Sequence, residues 1–252
     1  MNYQAPSVRK AFQILEIISE ADRGLGISDL AKKMEISKGT VHGITAALEE
    51  VGAIIRNPFT KRYTLGFRMM ELGNRGLSRI PLRDTARRQM VELADETGEN
   101  VFLGIQREDY ILILDVVESA EDFKITSPSG TKIPLTAGAT GKLFLAVMEE
   151  KNALNYLRSS GLPKYTQNSV TDLESYFKEL REIREKGYAT DNEEYLQGVR
   201  AVAALIKTEE PVLAAIWVVG FSSSLTNEKM PEVLKRTLHA VDSISRDLKS
   251  RH

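Results

Sequence analysis

The sequence predicts an α+β protein with an N-terminal winged helix-turn-helix and a larger C-terminal domain of helices on a sheet. In residues 27–63, two short helical segments flank a tight turn and lead into a hairpin signal, which is the pattern of a winged helix-turn-helix. From residue 82 on, helical segments alternate with apolar runs of strand length. Pro81 interrupts the helical pattern between the two regions. We therefore expect a winged helix-turn-helix domain over residues 1–66, a linker helix over 67–80 and a C-terminal domain over 81–252.

Composition limits the class of protein. The 252 residues are 42% hydrophobic, which is enough for the cores of two ordinary domains. No apolar run reaches the roughly 20 residues that span a bilayer, and the N-terminus lacks the basic-then-apolar pattern of a secretion signal. We therefore expect a cytoplasmic protein with no membrane partner. Because cysteine is absent and the histidines are scattered, we expect no disulfide, no metal site and no cofactor.

Charge is distributed unevenly along the chain. The net charge is −1, but residues 1–75 contain 11 Lys and Arg against 8 Asp and Glu, and the remainder contains 23 against 27. The N-terminal region is therefore positive and the rest negative. DNA affinity depends on where cations meet phosphates and not on the charge of the whole chain, so this asymmetry has the sign that a DNA-binding N-terminal domain requires.

The first two helices follow from apolar spacing and a cap. The first helix should begin at Ser7 and bury a stripe of residues at helical spacing, namely Val8, Ala11, Phe12, Leu15 and Ile18. Ser28 is a good N-cap for a second helix that runs to Met34. The turn Glu35-Ile36-Ser37 then separates this helix from the third.

The third helix, expected over residues 38–51, has an unusual exposed face. Its buried side should carry Val41, Ile44, Leu48 and Val51. Its opposite side carries mostly small residues, namely Gly39, His42, Gly43, Ala46 and Glu50. Gly43 should cost the helix about 1 kcal/mol against alanine. This face belongs either to a surface helix that tolerates glycine or to a helix whose backbone sits deep in a DNA major groove.

The second interpretation makes double-stranded DNA the partner. Direct base contacts should then come from few side chains, at Lys38, Thr40, His42 and the methyl group of Ala46. Gly39 and Gly43 belong to the DNA-binding surface because they let the helix backbone sit deep in the groove. The turn Asn57-Pro58-Phe59-Thr60 joins two short strands, 54–56 and 63–65, into a wing. Phosphate contacts should come from cations on the first helix and the wing, namely Arg9, Lys10, Arg56, Lys61 and Arg62.

Both helices and strands are predicted in the C-terminal domain. The first half should contain a helix over 82–97 that ends at Gly98, strands over 100–106 and 110–118, a shorter strand over 122–127 and a helix within 136–148. In the second half, Thr171 and Glu174 form a capping-box pattern for a helix that runs to Lys186 and ends at Gly187. Strands over 199–207 and 212–221 should form a hairpin, and Thr226 should cap the last helix. Helices on a mostly antiparallel sheet make an α+β domain.

No catalytic constellation is visible, so we expect no catalytic residue and no enzyme. A hydrolase or transferase is the rival class, but the C-terminal domain has no cysteine and few histidines. Residues 138–142 (GATGK) lack the spacing of a phosphate loop. The acidic cluster Asp191, Glu193 and Glu194 is a solvated loop or, as the weaker alternative, a carboxylate pair. Trp217, the only tryptophan, is either a core residue or a platform for a ligand.

Six motifs occur in an order and spacing that together are specific. They are ISKGTVHGITAALEEVGAI, RYTLGFRMMELG, ETGENVFLGI, IPLTAGATGKLFLAV, IREKGYATDNEEYLQGVRAVAALI and LTNEKM. On these motifs the chain resembles the IclR family of bacterial transcriptional regulators from end to end. The resemblance implies a C-terminal GAF-like effector-binding domain behind the winged helix-turn-helix. It also implies a repressor or activator that forms dimers, commonly paired into tetramers, on palindromic or repeated operators.

The resemblance further implies an effector pocket, where this chain departs from the family. Members that bind glyoxylate or pyruvate hold the acid with loop amides, an acidic residue, a cysteine and two serines. The matching positions are Ala139 and Thr140 for the amides, Asp191 for the acid, Ala201 for the cysteine, Trp217 and Val219 for the serines, and Ile125, Ile133 and Val199 for apolar walls. In the third helix the family usually has Ser at the position of Gly39 and often Arg at that of Gly43, so its base contacts do not carry over.

Polar partners of a small carboxylate are thus replaced by Ala201, Trp217 and Val219. A carboxylate that is buried without hydrogen-bond partners is strongly disfavoured. We therefore expect an effector that is more apolar or aromatic than glyoxylate or pyruvate, stacked on Trp217, with one polar end near the amides of residues 139–141. The alternative is that Trp217 fills the pocket, and that the C-terminal domain only oligomerises and binds no effector.

Overall fold

The computed structural model describes residues 5–77, 81–121, 124–207 and 213–250. The chain divides into two units, Met1–Ile80 and Pro81–His252. The first contains helices and a 2-stranded hairpin, and the second contains helices on a 6-stranded sheet. The predicted α+β fold class is confirmed.

The N-terminal unit is the predicted winged helix-turn-helix. Its elements are α1 (Pro6–Ser19), α2 (Ile27–Met34), α3 (Lys38–Glu50), β1 (Ile54–Arg56), β2 (Tyr63–Leu65) and α4 (Phe67–Leu77). Strands β1 and β2 pair antiparallel over the predicted segments, because the turn at Asn57-Pro58 reverses the chain between them. The small core of this unit includes Ile14, Leu30, Val41, Ile54 and Tyr63.

The buried stripe of α1 is shorter than its apolar spacing predicts. Ile14, Leu15 and Ile18 are buried, but Val8 and Phe12 are 56% and 61% exposed. Spacing identifies the face of a helix, but it does not tell how far along that face a partner extends. The predicted burial of Val8 and Phe12 is wrong because the first turns of α1 lie beyond the core of this unit.

Two further details of the helix-turn-helix differ from the prediction. The cap of α2 is Gly26, whose N–H donates to Asp29 Oδ2 at 3.3 Å, so Ser28 lies inside the helix. Helix α3 ends at Glu50 and leaves Val51 62% exposed. Thr45 is buried in this helix instead, because its hydroxyl donates to the carbonyl of Val41 at 2.9 Å and so has its hydrogen bond within the helix.

The C-terminal unit consists of a sheet with helices on both faces. Its elements are α5 (Pro81–Thr97), β3 (Asn100–Arg107), β4 (Tyr110–Val117), β5 (Lys132–Pro134), α6 (Gly138–Val147), α7 (Glu150–Ser160), α8 (Leu173–Lys186), β6 (Tyr188–Asn192), β7 (Val199–Ile206), β8 (Ala214–Phe221) and α9 (Met230–Lys249). The strand order is β5-β4-β3-β8-β7-β6, and all neighbouring strands pair antiparallel.

Strand alternation separates two apolar layers in this unit. Helices α6 and α8 pack with the side of the sheet that carries Phe102, Ala201 and Trp217. Because side chains alternate along a strand, Val202 and Val218 point to the other side, where α5 and α9 contact the sheet. The layer on the α6 side contains the candidate pocket described below.

Several predicted boundaries in this unit are corrected. Residues 124–127 form no strand, and residues 122 and 123 of that predicted strand lie outside the described residues. Helix α8 is capped by Asp172, whose Oδ1 accepts the N–H of Ser175 at 2.8 Å, and not by Thr171. Helix α9 begins at Met230 with Lys229 in the cap position. Thr226 therefore does not cap it and lies in the preceding turn, where its carbonyl accepts the N–H groups of Lys229 and Met230 at 3.1 and 3.0 Å.

The remaining differences concern short elements. Strand β5 and helix α7 are absent from the sequence prediction. The predicted hairpin of β7 and β8 is confirmed by their antiparallel register, while its turn at residues 209–211 lies outside the described residues.

Candidate functional site

The exposed face of α3 begins directly after its cap. Ser37 Oγ accepts the N–H of Thr40 at 3.1 Å, and the Thr40 hydroxyl lies 2.9 Å from the same oxygen. The predicted DNA-binding residues of α3 are all exposed along the first turns of the helix, namely Lys38, Gly39, Thr40, His42 and Gly43. This face therefore presents backbone and small side chains, together with a lysine and a histidine, to the surroundings.

Packing inside this unit does not require glycine at position 43. A Cβ atom added to Gly43 meets nothing within 4 Å, so alanine would fit there without a clash. Alanine favours a helix over glycine by about 1 kcal/mol. Gly43 therefore weakens α3 with no compensating contact in the fold, a combination suited to close approach of another molecule to the backbone.

The predicted phosphate-contacting cations differ in the contacts they already make. Arg62 Nη1 donates to the carbonyl of Gly24 at 2.8 Å and lies 3.5 Å from Asp29 Oδ2, so this guanidinium holds the wing to the turn before α2. The Arg56 guanidinium carbon lies 5.7 Å from the centroid of the Tyr63 ring. Of the others, Arg9 and Lys61 are exposed and Lys10 is half-buried.

One cavity in the C-terminal unit brings together every residue predicted to bind an effector. Its lining includes Ile125, Ile133, Ala139, Thr140, Asp191, Val199, Ala201, Trp217 and Val219. The cavity has about 600 Å³ of empty space, which includes the open solvent at its mouth.

The cavity also includes residues that the sequence did not indicate. They are Phe102, Ile113, Ser127, Ala137, Gly138, Tyr195 and Leu196. Phe102 pairs with Trp217 in the register of β3 and β8, so a correct strand alignment is the signal that identifies it. Tyr195 and Leu196 lie in the loop between β6 and β7, where no periodicity places a side chain.

Trp217 is both a core residue and a wall of the cavity. Its side chain is only 4% exposed and stacks on Phe102, with ring centroids 5.5 Å apart and an interplanar angle of 9°. Gly104 makes room for the indole, because a Cβ at that position would lie 2.7 Å from Trp217 Cη2. The cavity next to the stacked pair stays open although Trp217 packs into the core.

Asp191 is the acidic group of the cavity. Its side chain is buried, and Oδ1 accepts the N–H of Glu194 at 2.7 Å, while Oδ2 lies against the α-carbon of Gly138 at the start of α6. Loss of hydration on burial raises the pKa of the Asp191 carboxyl from 3.8 to about 6, and the positive charge of Lys142 opposes this rise.

The other acidic residues near Asp191 are held in ion pairs and do not form a solvated loop. Glu194 lies 2.8 Å from the ammonium of Lys142, which is itself buried on α6 and also reaches Glu179 at 3.2 Å. Glu193 lies 3.6 Å from the guanidinium of Arg200. Both glutamates therefore brace the loop after β6, and Asp191 alone lines the cavity.

The polar groups of the cavity are concentrated at one end. Asp191, Gly138, Ala139 and Thr140 lie around the N-terminus of α6, where the first amides of a helix have no intrahelical acceptor and favour a negative charge. The remaining wall is mostly apolar, with Ala201, Val219 and the stacked rings of Phe102 and Trp217. The arrangement fits a ligand with one polar end and an apolar body.

Neither a metal site nor a membrane span is found in the parts of the chain that the structure describes. No group of three or more His, Cys, Asp or Glu side chains among these residues is arranged to hold a metal ion. None of the described helices is long and apolar enough to cross a bilayer.

Comparison with protein families gives two matches along the chain. The model of the IclR helix-turn-helix domain matches residues 7–58. The model of the C-terminal domain of bacterial transcriptional regulator IclR matches residues 74–246, which is more than half of the chain. The two matches correspond to the two units of the structure.

Individual relatives agree over nearly the whole length. The chain is 30% identical to the HTH-type transcriptional regulator XynR of Escherichia coli (strain K12), over 96% of this chain and 96% of the relative. The crystal structure of an IclR transcriptional regulator from Alicyclobacillus acidocaldarius superposes with a TM-score of 0.86 at 27% identity and covers 98% of this chain and 100% of that one. The fold is also shared with an IclR homologue from Microbacterium hydrocarbonoxydans complexed with 4-hydroxybenzoate, with a TM-score of 0.84 at 24% identity over 97% of this chain and 99% of that one.

The resemblance inferred from sequence motifs is thus confirmed by both domains and by relatives of similar length. The winged helix-turn-helix supplies the DNA-binding element, and the α+β unit supplies a cavity with one polar end. The chain belongs to the IclR family of DNA-binding bacterial transcriptional regulators.

Proposed function

We propose that this regulator changes its operator affinity when an apolar or aromatic small molecule occupies the cavity beside Trp217. The observation that carries the proposal is the division of this cavity into a polar end at the start of α6 and an apolar wall with two stacked rings. An aromatic acid matches both parts, since its ring can lie against Trp217 while its carboxylate meets the amides of Ala139 and Thr140.

Glyoxylate and pyruvate match the cavity poorly. A small carboxylate needs hydrogen-bond partners on more than one side when it leaves water. The side chains of Ala201 and Val219 supply none, and that of Trp217 has only its indole N–H. A larger ligand gains about 25 cal/mol for each Å² of apolar surface that it buries. The wall residues therefore favour size and low polarity. The homologue from Microbacterium hydrocarbonoxydans, complexed with 4-hydroxybenzoate, is a protein of the same fold that takes an aromatic acid.

The proposed DNA contacts lie on the first unit. Lys38, Thr40 and His42 contact base edges, while Gly39 and Gly43 let the backbone of α3 approach the groove. Arg9, Lys10, Arg56 and Lys61 contact phosphates, and Arg62 contributes charge while it holds the wing to Gly24. The operator is double-stranded DNA, which two or more copies of the chain bind together through recognition helices about 34–36 Å apart or at multiples of that distance.

Coupling between the two units follows from linkage. An effector that binds one arrangement of the oligomer more tightly shifts the population of DNA-competent spacings. We assign the transmission of this shift to the segment over residues 67–80, between the domains 1–66 and 81–252, so that a small change there alters DNA affinity without touching α3.

The test uses the fluorescence of Trp217, which is the only tryptophan of the chain. We expect a saturable change on titration with benzoate or 4-hydroxybenzoate, and none with glyoxylate or pyruvate at the same concentrations. A response to the small acids alone would contradict the apolar pocket. Silence with every compound would favour the second candidate, a C-terminal domain that only oligomerises, which the packing of Trp217 against Phe102 also suits.

A matched pair of variants distinguishes an effect of the cavity wall on ligand preference from a general effect on the surrounding core. Val219→Thr adds a hydroxyl to the cavity wall with little change of shape, and should shift the preference towards small carboxylates. Val116→Thr is the control, because Val116 is also partly buried against the same core but does not line the cavity. Equal effects of the two substitutions would exclude a specific role of the wall.

A further inference from the structure

Phe59 at the tip of the wing is more exposed than any other large hydrophobic side chain that the structure describes. Its side chain is 90% exposed, against 71% for Phe67. A single exposed apolar residue is ordinary on a protein surface. A phenylalanine that buries almost none of its ring is different, because it forgoes nearly all of the favourable burial that this side chain can provide. The hydrogen bonds that hold the tip of the wing therefore bear on what this ring does.

The tip that carries this ring is held by its own hydrogen bonds. Asn57 Oδ1 accepts the N–H groups of both Phe59 and Thr60 at 2.9 Å, and the Asn57 carbonyl accepts the N–H of Lys61 at 2.9 Å. Lys61 completes the turn in the left-handed region, with φ of 59°. An Asn side chain that caps a turn in this way fixes the backbone, so the Cα–Cβ bond of Phe59 points in a defined direction.

The wing is also fixed to the body of its unit. The N–H of Asn57 donates to the carbonyl of Arg62 at 2.8 Å, and Leu25 and Tyr63 exchange backbone hydrogen bonds at 3.1 and 2.8 Å. Arg62 adds its hydrogen bond to Gly24. The backbone that carries Phe59 is therefore preorganised for contact, and little backbone entropy is lost when a partner meets it.

The charges around the ring indicate which partner it meets. Residues 51–70 contain Arg56, Lys61, Arg62 and Arg68, and no Asp or Glu. Arg62 and Arg68 pair with Asp29 and Glu71 outside this segment, while Arg56 and Lys61 on the wing are exposed. A protein partner with an apolar groove does not need positive charge on the wing, whereas duplex DNA offers phosphates on both sides of a groove floor made of stacked bases. Architectural DNA-binding proteins insert Phe, Leu or Ile as wedges between base steps from the minor groove, and so bend the duplex.

We infer that Phe59 is a wedge that enters the minor groove of the operator beside the major-groove segment bound by α3, and that it partly unstacks one base step. This inference rests on the proposed DNA-binding role of the first unit. Its consequence is a sequence preference without base hydrogen bonds, because pyrimidine–purine steps such as TA and CA unstack most easily. The wing thus contributes shape readout, while the bare face of α3 makes few direct contacts.

The experiment uses a duplex selected from a random-sequence pool by the full-length wild-type chain, with 2-aminopurine placed in turn at each step flanking the half-site. Phe59→Ala should weaken binding by about tenfold, which corresponds to roughly 1.4 kcal/mol, and abolish the 2-aminopurine signal at one step. Its salt dependence should remain that of the wild type. Lys61→Ala is the matched control on the same turn, because it should reduce the salt slope by about one counterion and keep the 2-aminopurine signal.

The possible results distinguish failure of the Phe59 wedge from failure of the proposed DNA-binding role of the first unit. If Phe59→Ala binds and unstacks the duplex as the wild type does, while Lys61→Ala weakens binding, the wedge is excluded and the DNA-binding role stands. If Phe59→Leu restores the signal that Phe59→Ala loses, the wedge is supported, because leucine is also able to insert. Failure of the wild-type chain to enrich any duplex would contradict the DNA-binding proposal itself. Altered self-association of Phe59→Ala with unchanged DNA affinity would assign the ring to a protein contact and overturn the inference.

Discussion

The exposed face of α3 and the cavity beside Trp217 differ in how closely binding is tied to folding. On α3, Lys38, His42 and Gly43 are exposed, and an added Cβ at position 43 has no neighbour in the fold. In the cavity, Trp217 and Asp191 are buried and take part in the stacking and hydrogen bonding of the core. Loss of an exposed side chain from α3 should therefore lower DNA affinity with little loss of stability, whereas loss of a side chain from the cavity should lower stability and ligand affinity together.

The largest expected effect sharpens this contrast at Trp217. Trp217→Ser removes a buried ring stacked on Phe102, and loss of a large buried aromatic side chain costs about 3–5 kcal/mol of unfolding free energy. The midpoint of urea denaturation should fall accordingly. The response to an aromatic acid, followed by calorimetry because the fluorophore is gone, should disappear, while the folded variant should still bind operator DNA.

His42→Ala on α3 is the comparison variant. Its denaturation midpoint should stay within about 0.5 kcal/mol of the wild type, as for most exposed substitutions, while its DNA affinity falls. An unchanged midpoint for Trp217→Ser would break the contrast, since Trp217 would then act as a ligand platform with no part in stability.

The second largest expected effect is a change of stability with pH that arises from the carboxyl of Asp191. Burial raises the pKa of this carboxyl from 3.8 to about 6 in the folded chain, so the folded state holds the proton more tightly than the unfolded state. The penalty of ionising Asp191 is absent below pH 4, grows between pH 4 and 6, and is complete above pH 6. By linkage it amounts to at most about 3 kcal/mol at neutral pH.

Asp191→Asn removes this titration. Relative to the variant, the wild type should lose stability as the pH rises from 4 to 6 and show a constant difference above that. Lys142 and Glu194 also interact with the carboxyl of Asp191. Because both are present in the wild type and in Asp191→Asn, urea denaturation of the two proteins at each pH isolates the contribution of Asp191. Parallel stability curves for the wild type and Asp191→Asn would mean that Asp191 titrates normally.

Elements with a local sequence signal are predicted well, and contacts between distant residues are not. Strands β1 and β2 were predicted at their observed bounds because the Asn57-Pro58 turn is a local signal. The Arg62 contact with Gly24 spans 38 residues, and no local pattern predicts it. The cap of α8 was misplaced by one position, since Thr171 and Asp172 are both able to cap a helix and only the backbone geometry selects Asp172.

The residues of the cavity are predicted mainly by the family resemblance and not by local sequence patterns. Periodicity places Trp217 in a strand without defining its role. The other predicted cavity positions, from Ile125 to Val219, follow only from the resemblance to the IclR family. Their meeting depends on the strand order, which brings β3 between β4 and β8 and so sets Phe102 against Trp217. Composition does not encode such pairings. The loop residues Tyr195 and Leu196 were missed because irregular backbone places side chains by long-range contacts.

The smallest effect tests the contrast on α3 itself. Gly43→Ala should stabilise the chain by about 1 kcal/mol, because alanine is the better helix former and its methyl group meets no atom within 4 Å. The same methyl group should weaken operator binding if the backbone of α3 lies close to the bases. If Gly43→Ala raises stability and leaves DNA affinity unchanged, Gly43 is a tolerated surface glycine, and the bare face of α3 does not sit deep in the groove.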